Sequence, residues 1–296
     1  MSELKLGVTL PQFTSDPAQV VDAARRAESL GLDSAWVFDH FWPLSGGKKR
    51  PALEGWTTLA FLAAATNRIG VGTLVTRSTI RQPAVLAKMA ATVAEIAPGR
   101  LTVGLGSGDA QSRDENEAFG APYFAGRRRV AQLVSCAEVL HSAWHEPPVT
   151  MRDDFVSIEG LAMLPRPPVP PRLWLAGRSP GIIEAAGRLG DGWNGWGGKA
   201  ENLVQDAERV RRAASGREVE ITWAGLVILG EDEAEAQRKL GSRDPSSYIW
   251  GGPATVAEAL AERRRAGATH LVLTFPNARD PSAYALLAEA VRPLLK

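Results

Sequence analysis

The feature that most constrains the fold is a regular alternation of strand-like and helix-like segments along the whole chain. Apolar runs of strand character lie at residues 4–10, 34–38, 69–75, 101–105, 173–176, 192–194, 221–229 and 271–275. Helical patterns follow them, at 17–30, 55–65, 83–96, 127–144, 180–189, 200–214, 231–240 with 254–266, and 281–295. Eight such units in 296 residues predict an α/β fold, a (β/α)8 TIM barrel. A doubly wound open sheet is the alternative, and the strand count argues against it.

Two stretches rich in proline, glycine and serine interrupt the alternation. Residues 145–171 hold several prolines around an expected hairpin at 149–158, and residues 241–253 form the second stretch. They follow the fourth and the seventh helical units. We interpret both as insertions within a single domain that covers residues 1–296, because neither separates two complete sets of elements.

Composition limits the classes of partner and compartment. The formal net charge is +1, which gives no reason to expect nucleic acid as a partner. Cys136 is the single cysteine, so an internal disulfide is impossible. His141 and His145 are better explained by helix capping than by zinc, and no metal site is expected. With no charged-then-apolar leader and no stretch of membrane-spanning length, we expect a cytoplasmic protein that binds a small-molecule substrate and no membrane.

The end of the second predicted strand carries the strongest functional signal. The apolar run 34–38 stops at adjacent Asp39 and His40. In a parallel barrel this end of the strand opens onto the active-site face. A buried carboxylate or imidazole costs free energy unless it is paired, and imidazole is well suited to exchange a proton near neutral pH. We therefore expect an acid–base pair here.

A glycine-rich turn follows the fourth predicted strand. Gly106, Ser107 and Gly108 precede Asp109, and glycines of this kind let the backbone approach a ligand closely. An ordinary tight turn explains the same residues equally well.

The fifth predicted strand enters a helix through Ala176, Gly177, Arg178, Ser179 and Pro180. Free backbone amides at that helix N-terminus, with an arginine and a serine, would suit an anion. Ser179 as a simple N-cap is the alternative, and Arg178 favours a phosphate.

Aromatic residues cluster on the same predicted rim. The chain has nine tryptophans, and Trp42, Trp193 and Trp196 fall at strand ends, where planar side chains suit a flat aromatic ligand. Barrel packing is the alternative and accounts for other tryptophans. Together with the turn, the anion site and the acid–base pair, they suggest a planar, phosphate-bearing redox cofactor. A Rossmann nicotinamide site is not favoured, because no Gly-x-Gly-x-x-Gly follows the first strand.

These motifs resemble the bacterial luciferase-like monooxygenase superfamily, and within it the branch that uses the deazaflavin coenzyme F420. The resemblance covers nearly the whole chain. It is carried by residues 6–8, 31–34, 39–41, 66–69, 83–87, 99–101, 104–108, 190–193 and 267–272.

The resemblance implies a homodimeric barrel that holds its cofactor at the C-terminal rim. A non-proline cis peptide would join Thr73 and Leu74 under the central ring of the cofactor. Asp39 would meet the ring system, and Ser107 and Gly108 would hold the cofactor body. The phosphate tail would be held by Ala176, Gly177, Arg178 and Ser179.

The resemblance also implies the chemistry. His40 would act as acid/base during hydride transfer at C5 of the deazaflavin, and Asp109 would stand where relatives have a rim glutamate. Lys199 matches a substrate-phosphate lysine, and Trp42 and Trp196 would shape the substrate pocket. Because other phosphate ligands have no clear counterpart, a small alcohol, ketone or activated alkene is the expected substrate. The alternatives are an FMN-dependent monooxygenase and a non-catalytic flavin- or deazaflavin-binding barrel.

Overall fold

The protein is a closed parallel barrel in a computed structural model that describes residues 3–43, 48–276 and 282–295. Its strands are β1 (Lys5–Thr9), β2 (Ser34–Val37), β3 (Gly70–Arg77), β4 (Leu101–Gly106), β5 (Val149–Arg152), β6 (Ser157–Leu161), β7 (Arg172–Ala176), β8 (Gly192–Trp196), β9 (Glu220–Leu229), β10 (Ile249–Gly251) and β11 (His270–Thr274). Eight of them pair in parallel in the ring order β1, β2, β3, β4, β7, β8, β9 and β11, and β11 returns to β1. The predicted (β/α)8 barrel is confirmed.

The helices surround this ring. They are α1 (Pro17–Ser29), α2 (Gly55–Ala65), α3 (Pro83–Ile96), α4 (Ser112–Ala118), α5 (Gly126–His145), α6 (Pro180–Leu189), α7 (Ala200–Ala214), α8 (Glu233–Leu240), α9 (Pro253–Arg265) and α10 (Ser282–Ala285). A π-helical turn and a 3₁₀ turn prolong α10 through Leu286–Val291 and Arg292–Leu295. Proline starts α1, α3, α6 and α9, where its missing N–H is not needed. Within the described ranges, no helix has the length and apolar character for a membrane crossing.

Both predicted insertions are present. The first, after α5, contains the antiparallel hairpin of β5 and β6. The second, after α8, contains a 3₁₀ turn and β10, which pairs with β9 outside the ring. The sequence analysis did not predict β10, because three residues are too few for a periodic signal.

Apolar side chains fill two regions. A large cluster lies between the strands and the helices, and a small one lies inside the barrel. Trp36 and Trp174 stack inside the barrel with ring centroids 4.7 Å apart, and both are almost fully buried. The inner cluster forms a solid floor below the carboxyl ends of the strands, as TIM barrels require.

The predicted position of the cis peptide is wrong by one residue. The non-proline cis bond joins Leu74 and Val75. β3 pairs regularly with β4 up to Thr73 and resumes at Thr76, so that Leu74 and Val75 together oppose Gly104 alone. A β-carbon added to Gly104 would lie 2.2 Å from the Thr73 carbonyl oxygen. The irregularity of the strand therefore falls at the two residues after Thr73.

Candidate active site

A cavity of about 550 Å³ opens at the carboxyl ends of β2, β3, β4, β7 and β8. It brings together the imidazole, the glycine turn and the entrance to α6, as the sequence suggested. The predicted site residues that line it are His40, Leu74, Ser107, Gly108, Asp109, Ala176, Gly177, Arg178, Ser179 and Trp196. Sequence reasoning missed several other lining residues, among them Phe38, Val75, Arg77, Gln111 and Arg129.

The residues that follow β2 keep the side-chain alternation of a strand, and this separates Asp39 from His40. Phe38 and His40 line the cavity, whereas Asp39 lies on the opposite side and contacts Arg81. Asp39 is fully buried there, and Arg81 donates to both of its carboxylate oxygens at 2.6 and 3.0 Å. Burial raises the pKa of Asp39, while the Arg81 charge acts in the opposite direction. The expected pair between Asp39 and His40 is therefore not formed.

His40 is paired with Glu115 instead. Its Nδ1 lies 2.9 Å from Glu115 Oε2, and Glu115 is 1% exposed. The other carboxylate oxygen accepts from the backbone amides of Phe41 and Trp42. Burial alone would raise the pKa of Glu115, but the hydrogen bond and charge of His40, with Arg77, hold it below its usual range. Glu115 is thus a buried, ionised partner for the imidazole.

Glu115 lies on α4, a short helix that the sequence analysis did not predict. The signal available was a Ser-x-x-Glu pattern, Ser112 to Glu115, which is typical of a helix start. Asp109 fixes that start: its Oδ1 accepts from the Ser112 amide and hydroxyl, both at 3.0 Å. Gly108, with φ of +68°, lets the chain turn from β4 into this segment. Asp109 therefore borders the cavity and also anchors the helix that carries Glu115.

Arg77, the last residue of β3, balances the charge of Glu115. Its guanidinium is buried, with one terminal nitrogen 3.0 Å from Glu115 Oε2 and the other donating to Asn116 Oδ1 at 2.8 Å. Its Nε donates to the Asp39 carbonyl at 3.3 Å. Within the described residues, the nitrogen that faces Glu115 makes no hydrogen bond, so this pair is a charge contact, and the hydrogen bonds of the other two guanidinium nitrogens hold Arg77 in place.

At the entrance to α6, the sequence analysis expected Arg178 to bind a phosphate, but in the structure Arg178 is bonded to other residues of the protein. Arg178 donates from Nε to Asp206 at 2.9 Å and from its terminal nitrogens to the carbonyls of Trp196 and Gly197, at 2.8 and 3.1 Å. It thereby holds the segment after β8. Within the described part of the chain, the buried Ser179 Oγ and the buried Nε of Arg129 have no hydrogen-bond partner. Both residues line the cavity, so they leave donors open to an anionic ligand.

Four predicted site residues lie outside the cavity lining. Asp39 is described above, and Thr73 is buried with its hydroxyl bonded to a β4 carbonyl. Trp42 packs beside Phe119, with ring centroids 6.0 Å apart. Lys199 is exposed at the residue before α7. Of the three expected substrate-binding residues, Trp42, Trp196 and Lys199, Trp196 lines the cavity, and the roles of all three stay predictions.

Known proteins match this chain along most of its length. The family model described as luciferase-like monooxygenase matches residues 4–248. The F420-dependent glucose-6-phosphate dehydrogenase of Kineococcus radiotolerans is 30% identical, with 99% of this chain and 97% of the relative covered. The enzyme of the same name from Mycobacterium tuberculosis is 33% identical over 74% of this chain and 66% of its own length.

Solved structures share the fold. An F420-dependent secondary alcohol dehydrogenase in complex with an F420–acetone adduct superposes with a TM-score of 0.86 at 20% identity, covering both chains entirely. The coenzyme F420-dependent tetrahydromethanopterin reductase of Methanopyrus kandleri has a TM-score of 0.82 at 19% identity, again over both whole chains. A monooxygenase from Streptomyces bottropensis reaches 0.82 at 23% identity, over 98% of this chain and 99% of that one. This chain therefore belongs to the luciferase-like monooxygenase family of oxidoreductases.

Proposed function

We propose that this protein is a coenzyme F420-dependent oxidoreductase that moves a hydride between the deazaflavin and a small alcohol or carbonyl compound, or an activated alkene. The observation that carries the proposal is the His40 imidazole on the cavity wall, with Nδ1 held by Glu115 at 2.9 Å. Its Nε2 is then the nitrogen available to a bound substrate. Relatives named as F420-dependent dehydrogenases support the choice of cofactor.

The cavity wall suits a planar ring with an anionic tail. Leu74 and Val75 supply an apolar surface, and the neighbouring Gly106 is kept free of a side chain, since an added β-carbon would lie 2.5 Å from Val75. At the α6 end, Ser179 Oγ and Arg129 Nε offer open donors beside a helix N-terminus. The lining therefore fits a deazaflavin with a phosphate-bearing tail.

The chain's own residues would handle the proton. When bound, an oxidised deazaflavin supplies an acceptor for the hydride that leaves the substrate carbon. His40 Nε2 takes the hydroxyl proton, and the Glu115 carboxylate stabilises the imidazolium that results. General acid–base catalysis of this kind is worth about 10²–10⁴-fold in rate. Phe38 and Leu74, on the cavity wall, help to exclude water from the reacting atoms.

Arg77 and Arg178 are already paired, which favours an uncharged substrate, since the remaining cation of the lining, Arg129, is assigned to the cofactor tail. Among the residues that the structure describes near His40, Arg77 is occupied by Glu115 and Asn116, and Arg178 by Asp206. Lys199 lies outside the lining. We therefore expect small secondary alcohols or ketones to react faster than glucose 6-phosphate, and parallel assays of both substrates test this point.

FMN is the rival cofactor, because it shares the tricyclic ring system and carries a phosphate. Titration of the purified protein with each cofactor separates the two proposals. We expect saturable binding of F420. Tight FMN binding with none of F420 would favour an FMN-dependent monooxygenase. Binding of F420 without turnover on a panel of alcohols, ketones and alkenes would favour a non-catalytic barrel.

We also propose that the protein acts as a cytoplasmic homodimer through α2 and α3. The sequence of α2 is apolar almost all round, a pattern that is typical of a helix covered on every side. Its outer face nevertheless exposes 53% of Phe61, and the adjacent α3 exposes 54% of Val85. Sedimentation should give twice the chain mass of 31.7 kDa, and Phe61→Glu should restore the single mass. A wild-type monomer would contradict this proposal.

A further inference from the structure

The buried carboxylate of Glu115 is contacted by two separate parts of the chain, residues 40–42 and Arg77. Its Oε2 lies 2.9 Å from His40 Nδ1 and 3.0 Å from a terminal nitrogen of Arg77. Its Oε1 accepts from the amides of Phe41 and Trp42. Both oxygens are therefore surrounded by donors, although the residue lies 75 positions from His40 in the sequence. We infer that Glu115 is a positioning residue that holds His40 in the Nδ1–H tautomer and aims Nε2 into the cavity.

The donors around the carboxylate determine the tautomer. An ionised carboxylate has acceptors only, so the His40 nitrogen that faces it must carry a proton. In neutral imidazole one nitrogen donates and the other accepts. Nε2 therefore keeps its lone pair, which is the state that a general base requires. Arg77 keeps the carboxylate ionised by pairing with it inside the protein, where an unpaired charge is costly.

This inference rests on the proposed function and adds one requirement to it. During alcohol oxidation the O–H bond breaks and its proton moves to His40 Nε2, while the electron pair stays on oxygen and forms the carbonyl. The C–H electron pair leaves as a hydride for the deazaflavin. The Nδ1 proton stays with His40, and the positive charge on the ring is stabilised by Glu115. Glu115 touches neither substrate nor cofactor in this scheme and acts through His40.

The direct test is ¹⁵N NMR of the imidazole nitrogens in the cofactor-free protein, recorded at alkaline pH. The chain has four histidines, and the spectrum of His40→Gln assigns the resonances of His40. We expect a protonated Nδ1 and an unprotonated Nε2 in the wild type. A wild-type His40 with its proton on Nε2 would overturn the inference, whatever any variant does.

Glu115→Gln tests the carboxylate itself. A carboxamide has a single acceptor oxygen, so it cannot serve donors on both sides, and we expect the Nδ1–H tautomer to lose its dominance. The matched control is Glu117→Gln, at an exposed position on the same helix, which should keep the wild-type spectrum. An unchanged tautomer in Glu115→Gln would contradict the inference.

Kinetics then separate positioning from simple structural support. Because Glu115 acts through His40, Glu115→Gln should lower kcat by no more than His40→Gln does, within the 10²–10⁴-fold range of general-base catalysis, and leave KM unchanged. In the His40→Gln background the second substitution should cause no further loss. Multiplicative losses in the double variant would assign Glu115 a structural role instead. If the protein uses no F420, the proposed function fails, whereas the tautomer measurement still decides the inference.

Discussion

One histidine that lies far from the cavity mouth, His270, should make stability decrease in acid. His270 begins β11 and is 5% exposed. Its Nε2 lies 2.7 Å from Ser34 Oγ, which also accepts from Trp36 Nε1 at 2.7 Å. A hydroxyl can donate one hydrogen bond while it accepts another, so Ser34 can bond to both rings. Burial keeps the His270 ring neutral in the folded protein.

The charged groups around the ring oppose its protonation. Burial is the largest cause that lowers the pKa of His270, and the positive charges of Lys5 and Arg172 lower it further. Together they bring the pKa from 6.5 to about 3. Glu220 Oε1 lies 3.9 Å from Nδ1, beyond hydrogen-bond distance. The carboxylate therefore does not offset the burial.

The size of the effect follows from linkage. The unfolded chain binds a proton at His270 below about pH 6.5, and the folded protein does not until about pH 3. Stability from this group is therefore complete above pH 6.5 and is lost as the pH falls towards 3. Between about pH 7 and pH 5 the loss amounts to about 2 kcal/mol, at 1.36 kcal/mol per pKa unit.

Urea unfolding followed by tryptophan fluorescence measures this loss. The free energy of unfolding of the wild type should fall by about 2 kcal/mol more than that of His270→Gln between about pH 7 and pH 5. If the free energy of unfolding fell equally in the wild type and in His270→Gln over this pH interval, the assignment to His270 would be wrong.

Three further predictions concern residues in and around the cavity. Arg81→Met leaves the fully buried Asp39 without its partner and should lower the free energy of unfolding in urea by about 3–5 kcal/mol. Adding Asp39→Asn to this variant should recover part of the lost free energy of unfolding, because it removes the unpaired charge. Ser179→Ala removes a hydroxyl donor that has no partner within the described residues, so the Kd for F420, measured by fluorescence titration, should rise about tenfold. The Kd for a deazaflavin that lacks the phosphate tail should not change. Gly177→Ala brings a β-carbon to 2.8 Å from Ile182 at φ of +135° and should lower the Tm in calorimetry; an unchanged Tm would contradict the strain argument.

The barrel could be predicted from the sequence because its signals are local and repeated. Buried parallel strands are short apolar runs, and the helices between them carry their own start and stop residues, such as Pro17 and Gly31. Placing His40 at the mouth of the barrel required only that it follow a strand. Ser107 and Gly177 were predicted at the same rim by the same reasoning, and both line the cavity.

The residues that were missed depend on contacts that no local pattern records. Glu115 reaches His40 across 75 positions, from a helix of seven residues that is too short for a periodic signal. Among the described residues beside α6, Arg129 of α5 has an Nε without a hydrogen-bond partner, whereas Arg178 is paired with Asp206. The separation of Asp39 from His40, by contrast, could have been predicted by extending the alternation of β2 to the two residues that follow the predicted strand, since adjacent side chains of a strand point to opposite faces.

The most direct test of the account is a single absorbance experiment with oxidised F420 and a small secondary alcohol. We predict that the wild type bleaches the deazaflavin band as the alcohol is oxidised. His40→Gln should bind F420 with the same Kd and bleach it about 10²–10⁴-fold more slowly. A His40→Gln variant that keeps the wild-type rate would contradict the role assigned to the imidazole, and a wild type that binds FMN and ignores F420 would contradict the cofactor.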